Sequence, residues 1–306
     1  TKERIFAMYK LPLKKEHALL SSSIANLFSR VRIASRLDYL DGLLPDQKPY
    51  IRCSLTEKGD KIYKEADPTG LWLWALEPYF SAEKNIDTRN RFRKDDKVFF
   101  PPLNPEGCIG YDPVNYPKGV LKSTNYSQAC IVIHKKHDYF NQPNDPHYVA
   151  DEKMALLLAR PDDPHDVNKE LIKACKFTGY PCMHERSVAH VYEDMRDAGM
   201  LPFLLKGEDG QYGIAPQNQR AIRDGIAMLQ ARYAAPREEG QKDHLAIHPF
   251  EDCLRSHRDF DQTNTHAFDC TMGEVYLEHG LKQIVYTNKT DGQVANMITA
   301  AQCVAG

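Results

Sequence analysis

The chain has 306 residues, of which 42% are hydrophobic, enough to bury the core of one large domain or of two ordinary ones. Its 40 lysines and arginines nearly balance its 42 aspartates and glutamates, so no overall positive field favours nucleic acid or an anionic membrane. No apolar run approaches the roughly 20 residues of a membrane-spanning helix, and the N-terminus lacks the order of a signal peptide. We therefore expect a soluble globular protein that has no nucleic-acid partner.

The first part of the chain predicts helices and loops. Apolar residues recur at helical spacing over residues 16–40, a strand is predicted over residues 50–55, and a helix over residues 56–66. After a turn at residues 67–70, Trp72 and Trp74 predict a buried anchor, with a lipid-binding wall as the alternative. Residues 81–128 are rich in charge and proline, which predicts a lid, another surface excursion or a domain boundary.

The rest of the chain predicts strands alternating with helices. Residues 129–134 form the clearest buried strand, and further strands are expected over residues 201–205 and 281–287. Helices are expected over residues 148–159, 167–177, 186–198, 216–233, 250–257, 267–280 and from 293 onward. Asp166 is a candidate N-cap for the second of them.

This pattern predicts a helix-rich α+β or α/β fold with a small sheet, because the ratio of helix to strand is too high for a barrel or a sandwich. We divide the chain into a helical, loop-rich region over residues 1–128 and a helix-rich α/β region over residues 129–306, which together form two domains or one continuous domain. The chain does not begin with Met, and its last residues resemble an unfinished helix. We therefore expect it to be a piece of a longer polypeptide.

The eight cysteines are spread along the chain without a Cys-x-x-Cys pair. Such spacing provides neither a disulfide framework nor closely paired zinc ligands. We expect reduced, buried thiols, folding in a reducing cytoplasm, and no metal or other cofactor.

The sequence lacks the motifs of nucleotide-binding proteins, zincins, EF-hands and the serine nucleophile elbow. Ser127 is the nearest candidate for an exposed nucleophile. It runs directly into an apolar strand, however, whereas a nucleophile elbow needs a tight turn between a strand and a helix.

Histidines are concentrated near the C-terminal end, where His244, His248, His257 and His266 lie within 23 residues. Imidazole titrates near neutrality and can act as a general base. His244 follows a polar loop and precedes an apolar run, a position where α/β-hydrolases carry the triad histidine. Alternatively, His244 and His248 share a helix face and bind a metal, or all four histidines are surface and capping residues. The candidates for a third metal ligand are Asp252, His257 and Asp261.

A resemblance to a known family lies in the same stretch. The chain carries Asp243-His244-x-x-Ile247, then His257, then His266-Ala267-Phe268-Asp269-x-x-Met272-Gly273. This order is similar to the C-terminal part of bacterial type VI secretion lipase effectors of the third subfamily, over about 30 of the 306 residues. The resemblance implies the C-terminal part and cap of an α/β-hydrolase that cleaves membrane phospholipid esters by a Ser-Asp-His mechanism. His244 would be its catalytic base, and the serine would lie outside this chain.

The resemblance also implies a location and partners. Such effectors are made in the bacterial cytoplasm and are loaded with an adaptor onto a secretion-spike protein. They are delivered into the envelope of a target cell and are inhibited by an immunity protein. Two other classes of function stay open: a non-catalytic adaptor or immunity-type binding module, and a metal-dependent toxin that uses His244, His248 and a nearby carboxylate.

Overall fold

A computed structural model describes residues 28–77, 91–114, 127–139, 141, 145, 148–187, 189–234, 243–261 and 264–285. In these ranges the strands are β1 Ile51–Lys58, β2 Lys61–Ala66, β3 Trp72–Trp74, β4 Arg93–Asp95, β5 Val98–Phe100, β6 Gly107–Asp112, β7 Ala129–Lys135, β8 Glu152–Ala159 and β9 Cys182–His184. The α-helices are α1 Arg30–Asp41, α2 Pro164–Thr178, α3 Ala189–Asp197, α4 Gln219–Ala234, α5 His244–Ile247, α6 Glu251–Asp259 and α7 Asp269–Gln283. The mixed α+β class predicted from the sequence is confirmed.

Seven strands form one sheet in the order β2-β1-β3-β8-β7-β6-β9, and β4 pairs with β5 in a separate hairpin. Within the seven-stranded sheet, β6 and β9 run parallel, whereas the other neighbours are antiparallel. The central strands β6 and β7 are buried along their whole length. Strands from both sides of residue 128 therefore share one core.

Helices cover both faces of the sheet. On one face α2 packs against β1 and β2, and the hydroxyl of Tyr111 on β6 donates to Asn168 Oδ1 of α2 over 2.7 Å. On the other face α7 packs against β6, β7 and β9, and α4 and α6 pack against α7 in turn. Successive residues of a strand point to opposite faces, so Tyr111 faces α2 and its neighbour Gly110 faces α7.

Glycines allow α7 to lie directly on the sheet. A Cβ atom on Gly110 would lie 2.2 Å from the carbonyl oxygen of Gly273, and one on Gly280 would lie 2.3 Å from Cys108 Sγ. The contacts of residue 280 with residue 108 and of residue 273 with residue 110 show that α7 runs antiparallel to β6. Its N-terminus therefore lies over the carboxyl end of β6.

Several predicted elements were wrong. Residues 56–66 form part of the β1–β2 hairpin and not a helix, and β8 lies where a helix was predicted over residues 148–159. The run in β8 is buried on both sides in the middle of the sheet, and an apolar run of that length does not distinguish a strand from a helix. Residues 201–203 form a 3-10 helix, and residues 281–283 end α7. The N-cap of α2 is Asp163, whose side chain accepts from the backbone N–H of His165, and not Asp166.

Other predictions agree with the structure. Trp72 and Trp74 lie on β3 and are buried, as expected of a core anchor. The cysteines in the described ranges are free and buried. In these ranges no helix has both the length and the apolar character needed to cross a bilayer. The predicted helix from residue 293 onward, residues 16–27 of the first helix and much of the region 81–128 lie outside the described residues.

Candidate functional site

Two acidic side chains lie side by side at one end of the sheet. Asp112 is the last residue of β6, and Glu185 directly follows β9. The parallel register pairs Tyr111 with His184, and the backbone N–H of Glu185 donates to the carbonyl of Tyr111 over 3.1 Å. The carboxyl ends of neighbouring parallel strands are where open α/β sheets bind ligands. Asp112 is 8% exposed and Glu185 is half-buried.

Helix α7 brings a third carboxylate to the same place. Asp269 is its first residue and lies four residues before Gly273, so both face the sheet. On the strand, Gly110 and Asp112 are two residues apart and share the face that α7 covers. Because Gly110 packs against Gly273, Asp112 lies beneath Asp269. The packing of α7 on β6 therefore fixes the positions of Asp112 and Asp269 relative to each other.

Asp269 is held by its neighbours at the start of β7. The hydroxyl of Ser127 donates to Asp269 Oδ1 over 2.9 Å, and the backbone N–H of Gln128 donates to Oδ2 over 2.7 Å. Ser127, the predicted candidate nucleophile, thus has a carboxylate as its partner. Burial raises the pKa of Asp269, and the charge of nearby Arg160 partly offsets that shift.

The electrostatics of the site favour a bound cation. The pKa of Asp112 is well above its ordinary value, first because the side chain is buried and then because the charges of Glu185 and Asp269 lie beside it. Asp112 and Glu185 also share a hydrogen bond, which two carboxylates can form only when one of them holds a proton. Among the described residues no lysine or arginine forms an ion pair with any of the three. A proton or a divalent cation must therefore relieve their repulsion.

Carboxylate oxygens are the ligands that Mg²⁺ and Mn²⁺ prefer. The described residues contain two compact groups of three side chains whose potential metal-ligand atoms all lie within 4.8 Å of one another. Asp112, Glu185 and Asp269 do not form such a group. The three carboxylates are thus more widely spread than the ligands of a single compact site.

The first compact group contains His248, His257 and Glu274, all buried. The Nε2 atoms of both histidines lie 3.3 Å from Glu274 oxygens. Lys153 Nζ lies 2.9 Å from Glu274 Oε2, and the hydroxyl of Tyr233 donates to the same oxygen over 2.6 Å. The lysine ammonium already balances the charge of Glu274, so this group is a buried ion-pair network and not an open metal site.

The tautomer of His248 supports that conclusion. The backbone N–H of Phe250 donates to His248 Nδ1 over 3.2 Å, so the proton of the neutral ring is on Nε2. That nitrogen donates to Glu274 and has no lone pair for a metal. Burial lowers the pKa of His248 to about 4, which keeps the ring neutral.

The second compact group, His165, His190 and Asp194, joins α2 to α3. His165 Nδ1 lies 2.8 Å from Asp194 Oδ2. The amide nitrogen of Asn168 donates to His190 Nδ1 over 2.8 Å and to Asp194 Oδ2 over 2.6 Å. The amide thus uses the atoms that a metal would need, and the group is a hydrogen-bonded link between two helices.

His244, the predicted catalytic base, begins the short helix α5 and has an acidic partner. Its Nε2 lies 3.2 Å from Asp151 Oδ2, and His134 Nε2 lies 2.8 Å from Asp151 Oδ1. Arg232 forms an ion pair with the same carboxylate. His134 is near the end of β7, whereas Ser127 precedes its start, so the predicted base and the candidate serine lie at opposite ends of that strand.

His244 and His248, predicted as joint ligands of one metal, do not share a partner in the described residues. Both histidines line one cleft of about 90 Å³, but each contacts a different carboxylate, Asp151 for the first and Glu274 for the second. His257 contributes to the network around Glu274, and the side chain of His266 lies outside the described residues.

Sequence analysis did not identify Asp112 or Glu185, and it used Asp269 only as part of a family resemblance. A weak signal was present for the first two. Each directly follows a short run without acidic, lysine or arginine residues, Cys-Ile-Gly-Tyr before Asp112 and Cys-Met-His before Glu185. An acidic residue at the end of a buried strand is a general indicator of a site in α/β sheets.

Comparisons with known proteins do not identify a family. No protein-family model matches the sequence, and no curated protein matches it. Among solved structures, the large terminase nuclease from thermophilic phage G20c aligns with a TM-score of 0.39 and 10% sequence identity. The alignment covers 86% of this chain and 100% of that chain.

Proposed function

We propose that this chain is a divalent-metal-dependent nuclease, in which Asp112, Glu185 and Asp269 bind the metal. The proposal is supported by one observation above all: three acidic side chains from β6, the end of β9 and the start of α7 meet without a lysine or arginine ion-pair partner among the described residues. The weak structural likeness reported above carries no part of the argument.

The chemistry follows from the donor set. Carboxylate-bound Mg²⁺ supplies a water of lowered pKa and neutralises charge on a phosphoryl oxygen, which is the chemistry of phosphodiester hydrolysis. Asp112 is the most buried of the three, and the charges of Glu185 and Asp269 lie beside it, so these three carboxylates would hold the cation. A metal-bound water would be the nucleophile, so no side-chain nucleophile is needed.

Two arginines beside the site suit a phosphate backbone. Arg186 follows Glu185, is partly exposed, and pairs with Asp209 through Nη2 over 2.7 Å. Arg160 lies close enough to Asp269 to offset part of the rise that burial causes in the pKa of Asp269. Glu185 and Asp269 are only half-buried, so a polymer can reach them from the surface. These features favour a nucleic acid over a small phosphate ester.

The test is cleavage of supercoiled plasmid and of single-stranded DNA and RNA in Mg²⁺, in Mn²⁺ and in EDTA. We expect cleavage only with a divalent cation. Asp112→Asn, Glu185→Gln and Asp269→Asn should each lose about 1,000-fold in rate, equivalent to about 4 kcal/mol of transition-state stabilisation. Asp166→Asn is the matched control, because Asp166 is exposed and, within the part of the chain that the structure describes, its ion pair is with Lys169 on the same helix.

The control variant should cleave at the wild-type rate. Unchanged cleavage by Asp112→Asn, or equal cleavage in EDTA, would refute the proposal. If the protein cleaves p-nitrophenyl phosphate but no nucleic acid, the proposed metal site would be supported and the proposed nucleic-acid substrate would be wrong.

The lipase function remains a second candidate, and one contact favours it in part. His244 has an acidic partner, as a triad histidine does, but the contact joins its Nε2 to Asp151 over 3.2 Å, whereas the acid of a triad holds Nδ1 and leaves Nε2 for the serine. The serine would lie outside this chain, and phospholipid, an adaptor, a spike protein and an immunity protein would be the partners. We expect ester hydrolysis that is lost in His244→Ala if this candidate is right. Hydrolysis that is equal in the variant would rule it out.

A further inference from the structure

The hydroxyl of Tyr276 donates to Glu185 Oε2 over 2.8 Å. Tyr276 is completely buried on α7, seven residues after Asp269 and three after Gly273, so all three side-chain positions face the sheet. One helix therefore provides a carboxylate at its N-terminus and, two turns later, the hydrogen-bond donor for a carboxylate on another element.

Glu185 needs such a donor because its own segment holds it weakly. It follows a strand of three residues and is half-buried, and apart from Tyr276 its side chain bonds only to the exposed hydroxyl of Ser187 and to Asp112 among the described residues. A carboxylate that binds a metal must keep its free lone pairs directed at the cation, and a fixed donor on the other lone pair provides that orientation. A phenol is a hydrogen-bond donor at neutral pH, and the 2.8 Å contact places this donor on Glu185 Oε2.

We propose that Tyr276 is a positioning residue that orients Glu185 for binding a divalent cation. This inference rests on the proposed metal-dependent function. Sheet order explains why the donor comes from α7: β6 lies between β7 and β9, and α7 crosses all three. Asp269 contacts residues at the start of β7, Asp112 ends β6, and Tyr276 reaches Glu185 beyond β9.

The protein offers a matched control for the loss of a buried tyrosine hydroxyl. Tyr233 is also buried, and its hydroxyl also donates to a carboxylate, Glu274 Oε2, over 2.6 Å. Glu274 belongs to the ion-pair network with Lys153 and not to the carboxylate site. Tyr276→Phe and Tyr233→Phe therefore remove the same group from similar surroundings, and only the first removal touches the proposed metal ligands.

The experiment measures Mn²⁺ binding by isothermal titration calorimetry and, separately, the Mn²⁺ concentration that gives half-maximal cleavage. We expect Tyr276→Phe to weaken Mn²⁺ binding about 10-fold and to raise the half-maximal concentration by the same factor. The maximal rate at saturating Mn²⁺ should fall less. Tyr233→Phe should leave both Mn²⁺ values within about twofold of the wild type, while lowering the melting temperature about as much as Tyr276→Phe.

Mn²⁺ affinities that are equal in Tyr276→Phe and Tyr233→Phe would overturn the positioning role. If, besides these equal affinities, the wild-type protein binds Mn²⁺ and Asp112→Asn does not, only the role of Tyr276 fails and the proposed metal site stands. If the wild-type protein binds no Mn²⁺, the proposed function and the role of Tyr276 both fail.

Discussion

The contact between Gly110 and Gly273 should control both the stability of the fold and the geometry of the carboxylate site. In Gly110→Ala, the new methyl group would lie 2.2 Å from the Gly273 carbonyl oxygen and 2.6 Å from Leu277 Cβ. Ordinary contacts begin near 3.4 Å, so α7 must move away from β6 by about 1 Å. The obstruction is helix backbone and cannot rotate aside. We expect a loss of about 3 kcal/mol in the free energy of unfolding, at the upper end for an overpacked core.

The same displacement should damage the site. Asp269 moves with α7 while Asp112 stays on β6, and a misplacement of about 1 Å between catalytic groups can cost about 100-fold in rate. Urea denaturation and the cleavage rate, measured well below the melting temperature, test the two effects. Gly42→Ala is the control, because its backbone is right-handed and a Cβ would meet only atoms at 3.4 Å or more. A Gly110→Ala protein as stable and as active as Gly42→Ala would refute the close approach of α7 to β6.

Further predictions concern charge. Asp112→Asn should raise the melting temperature of the metal-free protein at neutral pH by roughly 2–4 °C, because it removes a buried carboxyl whose raised pKa disfavours folding at any pH where the unfolded side chain is ionised; a decrease in calorimetry would contradict this. Mn²⁺ affinity should rise with pH above the ordinary titration range of an aspartate, because the raised pKa of Asp112 means that metal binding releases a proton; a pH-independent affinity would argue against it. Lys153→Met should cost about 3 kcal/mol in urea denaturation by leaving Glu274 buried without its cation, and a loss below about 1 kcal/mol would disagree. The pKa of His248 is lowered to about 4, so the unfolded chain binds the extra proton between that value and about 6.5 and stability falls as pH falls through this window; His248→Phe should flatten that part of the curve.

Sequence patterns predicted the helices best, because α4 and α6 each have an apolar face with regular spacing. They failed for β6, which was assigned to a loop-rich region. Its glycines, Gly107 and Gly110, weaken the strand pattern, and glycine inside a strand is typical where another backbone approaches closely. The close packing of α7 on β6 leaves no room for a side chain at Gly110. The obstructing residue, Gly273, is 163 residues away in sequence, so the strand pattern alone could not reveal it.

The carboxylate site could not be predicted for the same reason. Asp112, Glu185 and Asp269 are each separated by more than 70 residues, and only the parallel pairing of β6 with β9 and the packing of α7 bring them together. The histidine-rich stretch was easier to notice because its members are close in sequence. In the structure, His244 and His248 contact different carboxylates, and both contacts join elements of the core.

The most direct test of the carboxylate site is the anomalous scattering of crystals grown in Mn²⁺. We expect one or two peaks about 2.1 Å from oxygens of Asp112, Glu185 and Asp269, and no peak in crystals of Asp112→Asn. Absence of a peak at these carboxylates in the wild-type protein, or a peak at His248, His257 and Glu274 instead, would contradict the account.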